Sequence, residues 1–253
     1  MRKSGVKTVA NRRKNQNRDF LTPEEARKTI GGNLSFAAAE AYKLLRTNLN
    51  FSLPEVEGCK IIGVTSALHE EGKSTTAVNI AYTMAQTGQK VLLLEADMRL
   101  PALSKYLRVA AAPGLSNLLA GRCSGNDVLR KSGLLSNLWV TTAGEIPPNP
   151  AELLGSGQME ATIKAMSKIF DVIIVDLPPL LTVSDAVVVS RLVHGMILVV
   201  RQDYCDRKSI DEAIRQLRFA DVKILGFVMT AANTQSETYR HYSGYSAYRE
   251  SGR

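Results

Sequence analysis

Apolar residues in this chain come in short solid blocks rather than in alternation. Ile61-Ile62-Gly63-Val64, Val91-Leu92-Leu93-Leu94, Val172-Ile173-Ile174-Val175 and Ile197-Leu198-Val199-Val200 are the clearest. Blocks this short, bounded by polar and turn residues, predict strands covered on both faces, as in a parallel sheet. The predicted strands span 60–66, 90–95, 138–142, 171–176, 196–201 and 224–229. Helical periodicity fills the gaps at 73–87, 150–169, 184–193 and 206–220. A further Ala-rich helix covers 35–51, with Tyr42, Leu45 and Leu49 recurring along it and Pro54 just beyond its end. This alternation predicts an α/β fold, a doubly wound, mostly parallel sheet flanked by helices, with ligands at the carboxyl ends of the strands. No internal repeat and no second domain is visible.

The first strand runs into Ser66-Ala67-Leu68-His69-Glu70-Glu71-Gly72-Lys73-Ser74-Thr75, where Gly-Lys-Ser opens a helix. Strand, tight loop and helix are the setting in which a P-loop holds nucleotide phosphates, because loop amides and a helix N-terminus offer unpaired donors to an anion. Ala67 through Thr75 form the candidate cradle, so the fold is expected to be of the P-loop NTPase type. Lys73 is expected to reach the β- and γ-phosphates of ATP, and Ser74 to place its hydroxyl on Mg²⁺. Ala67 stands where the loop pattern has its first glycine, which requires negative φ there.

Two more strands end in acids. Leu92-Leu93-Leu94 leads to Glu95, Asp97 and Arg99, and Ile173-Ile174-Val175 leads to Asp176 and a Pro-Pro pair. Carboxylates beside a P-loop suit Mg²⁺, which favours oxygen ligands and keeps several waters. Asp176 reads as the Walker-B acid. Asp97 is a metal ligand or orients the nucleophile, Glu95 shares the role of proton acceptor, and Arg99 offsets charge on the transferring phosphoryl group. The plainer reading is that both acids cap the elements that follow.

The 253 residues are 45% hydrophobic and 22% charged, ordinary for a globular chain. No apolar run is long enough to span a bilayer and no signal-peptide core is present, so a cytoplasmic location is expected. The three cysteines have no metal spacing and fit a reducing compartment. The net charge of +8 is uneven: Arg2, Lys3, Lys7, Arg12, Arg13, Lys14 and Arg18 supply nearly all of it. Residues 1–33 are expected to be a disordered basic arm, 34–230 the catalytic domain, and 231–253 a flexible tail. The arm suits anionic lipid or an acidic partner, or is simply a solvated tail; no nucleic-acid partner is expected.

Half of the eight tyrosines, Tyr239, Tyr242, Tyr245 and Tyr248, crowd the C-terminus among polar and small residues. A stripe without aliphatic companions is a poor core element. It reads instead as a set of phosphoacceptors, each gaining about −1.5 to −2 charges when modified.

Taken in order, Glu40 to Asn48, the loop Thr65 to Thr76, Glu95 to Pro101, Gly144 to Leu154, Asp176 to Pro179 and the tyrosine cluster resemble the bacterial P-loop tyrosine kinases that regulate capsular or extracellular polysaccharide production. The resemblance implies ATP- and Mg²⁺-dependent autophosphorylation of the tail between subunits of a homo-oligomeric ring, an octamer. It implies activation by the cytoplasmic tail of a membrane adaptor (a polysaccharide co-polymerase protein), a location at the inner face of the plasma membrane, and a cognate tyrosine phosphatase. It also makes Glu40, Lys43 and Arg46, which share a helix face, the ring contact. Several positions depart from the family. Lys43 stands where Arg is usual, and Glu95 where Asp is usual. His69 and Glu70 replace common loop residues, and the strand ending at Thr230 lacks a common Asn. The competing readings are a partition-type ATPase, against which Leu68 stands in the slot of that group's extra lysine, and a nucleotide-dependent assembly scaffold.

Overall fold

The computed structural model describes residues 22–55 and 57–232; the basic residues up to Arg18 and the four tail tyrosines lie outside them. Seven strands form one sheet in the order β3-β4-β2-β5-β1-β6-β7. They are β1 (Lys60–Ser66), β2 (Val91–Glu95), β3 (Arg130–Lys131), β4 (Leu138–Thr141), β5 (Val172–Asp176), β6 (Gly195–Arg201) and β7 (Ile224–Thr230). All pairings are parallel except the short β3 against β4. The four solid apolar blocks are β1, β2, β5 and β6, with two core clusters covering the two faces of the sheet.

The helices are α1 (Pro23–Arg27), α2 (Phe36–Ser52), α3 (Lys73–Ala85), α4 (Leu103–Leu107), α5 (Leu115–Leu119), α6 (Gly125–Val128), α7 (Pro150–Leu154), α8 (Gly157–Met166), α9 (Asp185–Val189) and α10 (Arg207–Phe219). The helix expected over 150–169 is divided at Gly155-Ser156, where Ser156 Oγ accepts the Met159 N–H at 3.3 Å and starts a new helix. That expected over 184–193 is α9 followed by a 3₁₀ turn, Ser190–Leu192. β3 and α4 to α6 were not expected, since elements of two to five residues carry no readable period.

The boundary expected at residue 33 is corrected. Thr22 and Glu25 form a reciprocal capping box that starts α1, and Ala26 and Ile30 are buried. Asn79 on α3 holds the stretch that follows: its Oδ1 accepts the Gly31 N–H and its Nδ2 donates to the Thr29 carbonyl, both at 2.9 Å. The segment was masked because the two apolar anchors that order it are outnumbered by polar neighbours and form no period.

β1 lies between β5 and β6, while β2 lies beyond β5. The loops after β1 and β2 therefore diverge at the carboxyl end of the sheet, the switch point at which such sheets bind ligands. Beside this crevice, the loop after β4 is locked by a backbone contact only glycine permits. A Cβ on Gly114 would lie 2.3 Å from the Gly144 nitrogen and 2.4 Å from the Thr142 oxygen. Gly114→Ala is expected to cost about 3 kcal/mol or more in urea unfolding, because the obstructing atoms are backbone. Gly125→Ala, where a Cβ meets nothing within 4 Å, serves as the control and should leave the midpoint nearly unchanged.

Candidate phosphate and metal site

The loop between β1 and α3 is braced from behind by Glu71, which is fully buried. Its Oε2 accepts the Leu68 N–H at 2.7 Å and its Oε1 accepts the Arg201 N–H at 3.2 Å. The Glu71 side chain thus fixes the loop's shape and takes the Leu68 amide for itself. Gly72 caps α3 at φ 86°, and a Cβ there would also press on Thr230 at 3.3 Å. Thr230 Oγ1 donates to the Glu71 carbonyl at 2.7 Å, tying the end of β7 to the loop. Ala67 is buried and does not have positive φ, as its place in the loop requires. The strained position is Glu70, at φ 64°, whose carbonyl accepts from Arg201 at 3.2 Å. His69 is half-buried and Leu68 packs against the core.

Lys73, the first residue of α3, is buried with its Nζ 2.7 Å from Asp97 Oδ2, 3.8 Å from Asp176 Oδ1 and 3.2 Å from Ser74 Oγ. Burial pulls the ammonium's pKa down, but Asp176 and Asp97 outweigh it and hold the group above its ordinary value. The sheet brings the two acids together. The Asp176 carbonyl accepts the N–H groups of Ala96 and Asp97 at 2.8 and 3.2 Å, extending the β2–β5 pairing past the end of β2.

Asp176 is fully buried, and neither of its carboxylate oxygens has a hydrogen-bond partner among the described residues. Burial raises its pKa to about 6, against the pull of Lys73. An orphaned carboxylate beside the Ser74 hydroxyl and Asp97 fits an oxygen-seeking divalent cation. Among the described residues no three His, Cys, Asp or Glu converge on one point. That donor set suits Mg²⁺, which is held by one or two carboxylates together with substrate phosphates.

Two expected catalytic groups are engaged elsewhere. Glu95 Oε1 accepts the N–H groups of Ala102 and Leu103 at 2.6 and 2.7 Å, and Oε2 accepts that of Ala143 at 2.9 Å. The extra methylene relative to Asp lets it anchor the start of α4 and the loop after β4 at once. Burial raises its pKa to about 7, opposed by these three donors. Arg99 is bidentate to Asp185, with Nε–Oδ2 at 2.9 Å and a terminal nitrogen on Oδ1 at 3.0 Å. The fully buried Asp185 was missed by the sequence reading, although an acid opening a helix is a legible feature. On α2, Lys43 pairs with Glu40 at 2.7 Å while Arg46 donates to the Thr83 carbonyl of α3 at 2.8 Å. Arg46 therefore braces its own chain, and Glu40 and Lys43 remain on the outer face.

The buried acids set a pH dependence. Asp176 and Glu95 have folded-state pKa values above their unfolded ones, so their contribution to stability is complete near pH 4 and lost as pH rises through about 6 and 7. In EDTA at pH 8, Asp176→Asn is expected to melt above the wild type by roughly 2–4 °C or more, with the advantage falling as pH drops through about 6 and gone by about pH 4. A lower melting temperature at pH 8 would show that the buried charge is compensated.

Residues 59–207 match a family profile described as an AAA domain. The chain is 34% identical over 207 residues to the tyrosine-protein kinase CpsD of Streptococcus agalactiae, covering 81% of this chain and 89% of that one. It is 34% identical over 206 residues to the tyrosine-protein kinase YwqD of Bacillus subtilis, covering 81% and 86%. The solved kinase domain of the Escherichia coli tyrosine kinase ETK superposes with a TM-score of 0.75 at 34% identity, over 83% of each chain. These similarities extend over the P-loop, both acidic strand ends and the sheet that aligns them, and the chain belongs to the bacterial tyrosine-protein kinases.

Proposed function

We propose that the chain transfers the γ-phosphoryl group of ATP, with Mg²⁺, to the tail tyrosines Tyr239, Tyr242, Tyr245 and Tyr248 of a neighbouring subunit. The observation that carries this is the buried Lys73–Asp97–Asp176 cluster at the first turn of α3, with Asp176 lacking hydrogen-bond partners. The loop amides and the N-terminus of α3 hold the phosphates, and Lys73 neutralises the charge that develops on the transferring group. Ser74, Asp176 and Asp97 would hold the cation, which supplies charge neutralisation across the phosphate oxygens. A phenol with pKa near 10 needs its proton removed as it attacks, and an Asp97 oxygen left free by the cation and released from Lys73 would take it. Arg99 and Glu95 act as positioning residues, the first through Asp185 and the second through α4.

Leu68, packed against the core, supplies no lysine to a partner and gives no support to the partition-type ATPase reading. The remaining proposals rest on the family resemblance and kinship. They are a ring, an octamer, joined through α2 with Glu40 and Lys43; activation by the cytoplasmic tail of a membrane adaptor at the inner face of the plasma membrane; resetting by a tyrosine phosphatase; and control of capsular or extracellular polysaccharide synthesis. Among the described residues no helix is long and apolar enough to cross a membrane, which is compatible with an adaptor carrying that part.

Incubation of the purified chain with Mg-ATP and adaptor-tail peptide, followed by anti-phosphotyrosine detection and phosphate release, tests the reading. Phosphotyrosine is expected in the wild type and at least about 10²-fold less in Lys73→Met, given the role of preorganised charge. Phe at all four tail tyrosines should remove the autophosphorylation signal while leaving ATP binding intact. Phosphate release without any phosphotyrosine would replace this reading with an ATPase.

A further inference from the structure

Away from the Lys73 cluster, a cavity of about 410 Å³ opens between α1, α4 and the turn joining β3 to β4. Its polar rim carries Arg27, Lys28 and Arg108, opposed by a single acid, Glu24. Among the described residues none of these three cations has an ion-pair partner within 4 Å. Its apolar side is made by the buried Ile30 with Leu107, Leu134 and Tyr106, and Asn33, Ser132 and Gly133 fill the rest of the lining. Arg108 is held at the rim by its αL conformation, φ 54°, as the C-cap of α4. A concave site with excess positive charge and an apolar side fits a ligand that joins a dianion to an aromatic ring.

We propose that this cavity docks phosphotyrosine, and that its occupant is the chain's own tail after modification. The inference rests on the kinase reading above, which supplies the ligand. Arg27 and Arg108 would take the phosphate, since guanidinium forks match its oxygens, and Lys28 would add a point charge. The tyrosine ring would lie on Ile30, Leu107 and Leu134. An unmodified tail has no dianion to offer, since Glu237 and Glu250 only balance Arg240 and Arg249.

Reach is sufficient. The chain leaves β7 five strand spacings, about 24 Å, from β4. Tyr239 follows Ala232 by seven residues and Tyr248 by sixteen, so full extension covers about 25 and 55 Å. The later tyrosines, Tyr245 and Tyr248, can therefore enter, whereas Tyr239 spans little more than the width of the sheet. The site also communicates with the phosphate cradle. Tyr106 forms part of the lining and lies close to Thr75 in the first turn of α3. Glu95 holds the start of α4, the helix that carries Tyr106. A modified tail lodged here would be withdrawn from the acceptor position and would bear on the cradle through Tyr106.

The test is fluorescence anisotropy with a labelled peptide of residues 236–251, on the full unphosphorylated chain without ATP, so no catalysis is required. The peptide phosphorylated on its tyrosines should bind at least about tenfold more tightly than the unmodified one, and Arg27→Gln with Arg108→Gln should remove about tenfold or more of that affinity. Arg191→Gln with Lys223→Gln, exposed to solvent elsewhere, is the charge control and should bind as the wild type does; matched melting temperatures establish folding. A peptide with phosphoserine at the same positions should bind more weakly, because it lacks the ring. Equal binding of phosphoserine and phosphotyrosine peptides would overturn the proposal, as would an unaltered affinity in the double variant. It is likewise overturned if the double variant loses phosphatidylserine vesicles but keeps the phosphopeptide, which would make the cavity a membrane contact. Failure here with normal tail phosphorylation in Mg-ATP leaves the kinase reading standing, and absence of phosphorylation with peptide binding intact removes only that reading.

Discussion

The arrangement depends on one costly feature, a lysine and two carboxylates held together out of water. Separately, each buried charge would be expelled or neutralised. Together, Lys73, Asp97 and Asp176 form a group whose geometry the rest of the fold must fix to within fractions of an ångström. The parallel sheet does this. β1 and β5 pair in register, β5 continues beside β2, and the Asp176 carbonyl gathers the amides of Ala96 and Asp97. The lysine enters from α3, whose position the sharp turn at Gly72 determines. Apolar strands buried on both faces give this frame the stiffness that a site based on electrostatic preorganisation needs.

Outside that group, several polar side chains serve the loops instead of the chemistry. Glu71 shapes the phosphate loop, Glu95 joins α4 to the loop after β4, Asn79 holds the N-terminal segment, and Asp185 orients Arg99. The first three satisfy backbone groups, while Asp185 is itself buried and gains a partner in the part-exposed Arg99 guanidinium; polar groups left unpaired in a low-dielectric interior are costly. The site is therefore surrounded by a second set of charges whose function is to hold the first in place. Tyr106 lies where this supporting layer meets the cavity beside α1.

Much of this was legible in the sequence. Solid apolar blocks gave away the central strands, and Gly-Lys-Ser after the first of them marked the loop that opens α3, because both signals are local. The two acidic strand ends were legible for the same reason. What escaped depends on contacts between distant residues. Nothing near Glu95 indicates that Ala143, far along the chain, would donate to it, and nothing near Arg99 points to Asp185. Arg46 shares a helix face with Glu40 and Lys43, but its reach to the Thr83 carbonyl is a tertiary event. The segment around α1 was hidden because its order comes from Ala26, Ile30 and a single asparagine on another helix, not from a pattern of its own.

The central claim is that the buried cluster is the phosphate and metal site. A crystal structure of the chain with Mg²⁺ and a non-hydrolysable ATP analogue tests it most directly. The account predicts Lys73 Nζ in contact with the terminal phosphates, Ser74 Oγ on the cation, and an Asp176 oxygen bonded to it directly or through one water. Nucleotide bound with Lys73 still paired only to Asp97, and with no cation beside Asp176, would contradict it.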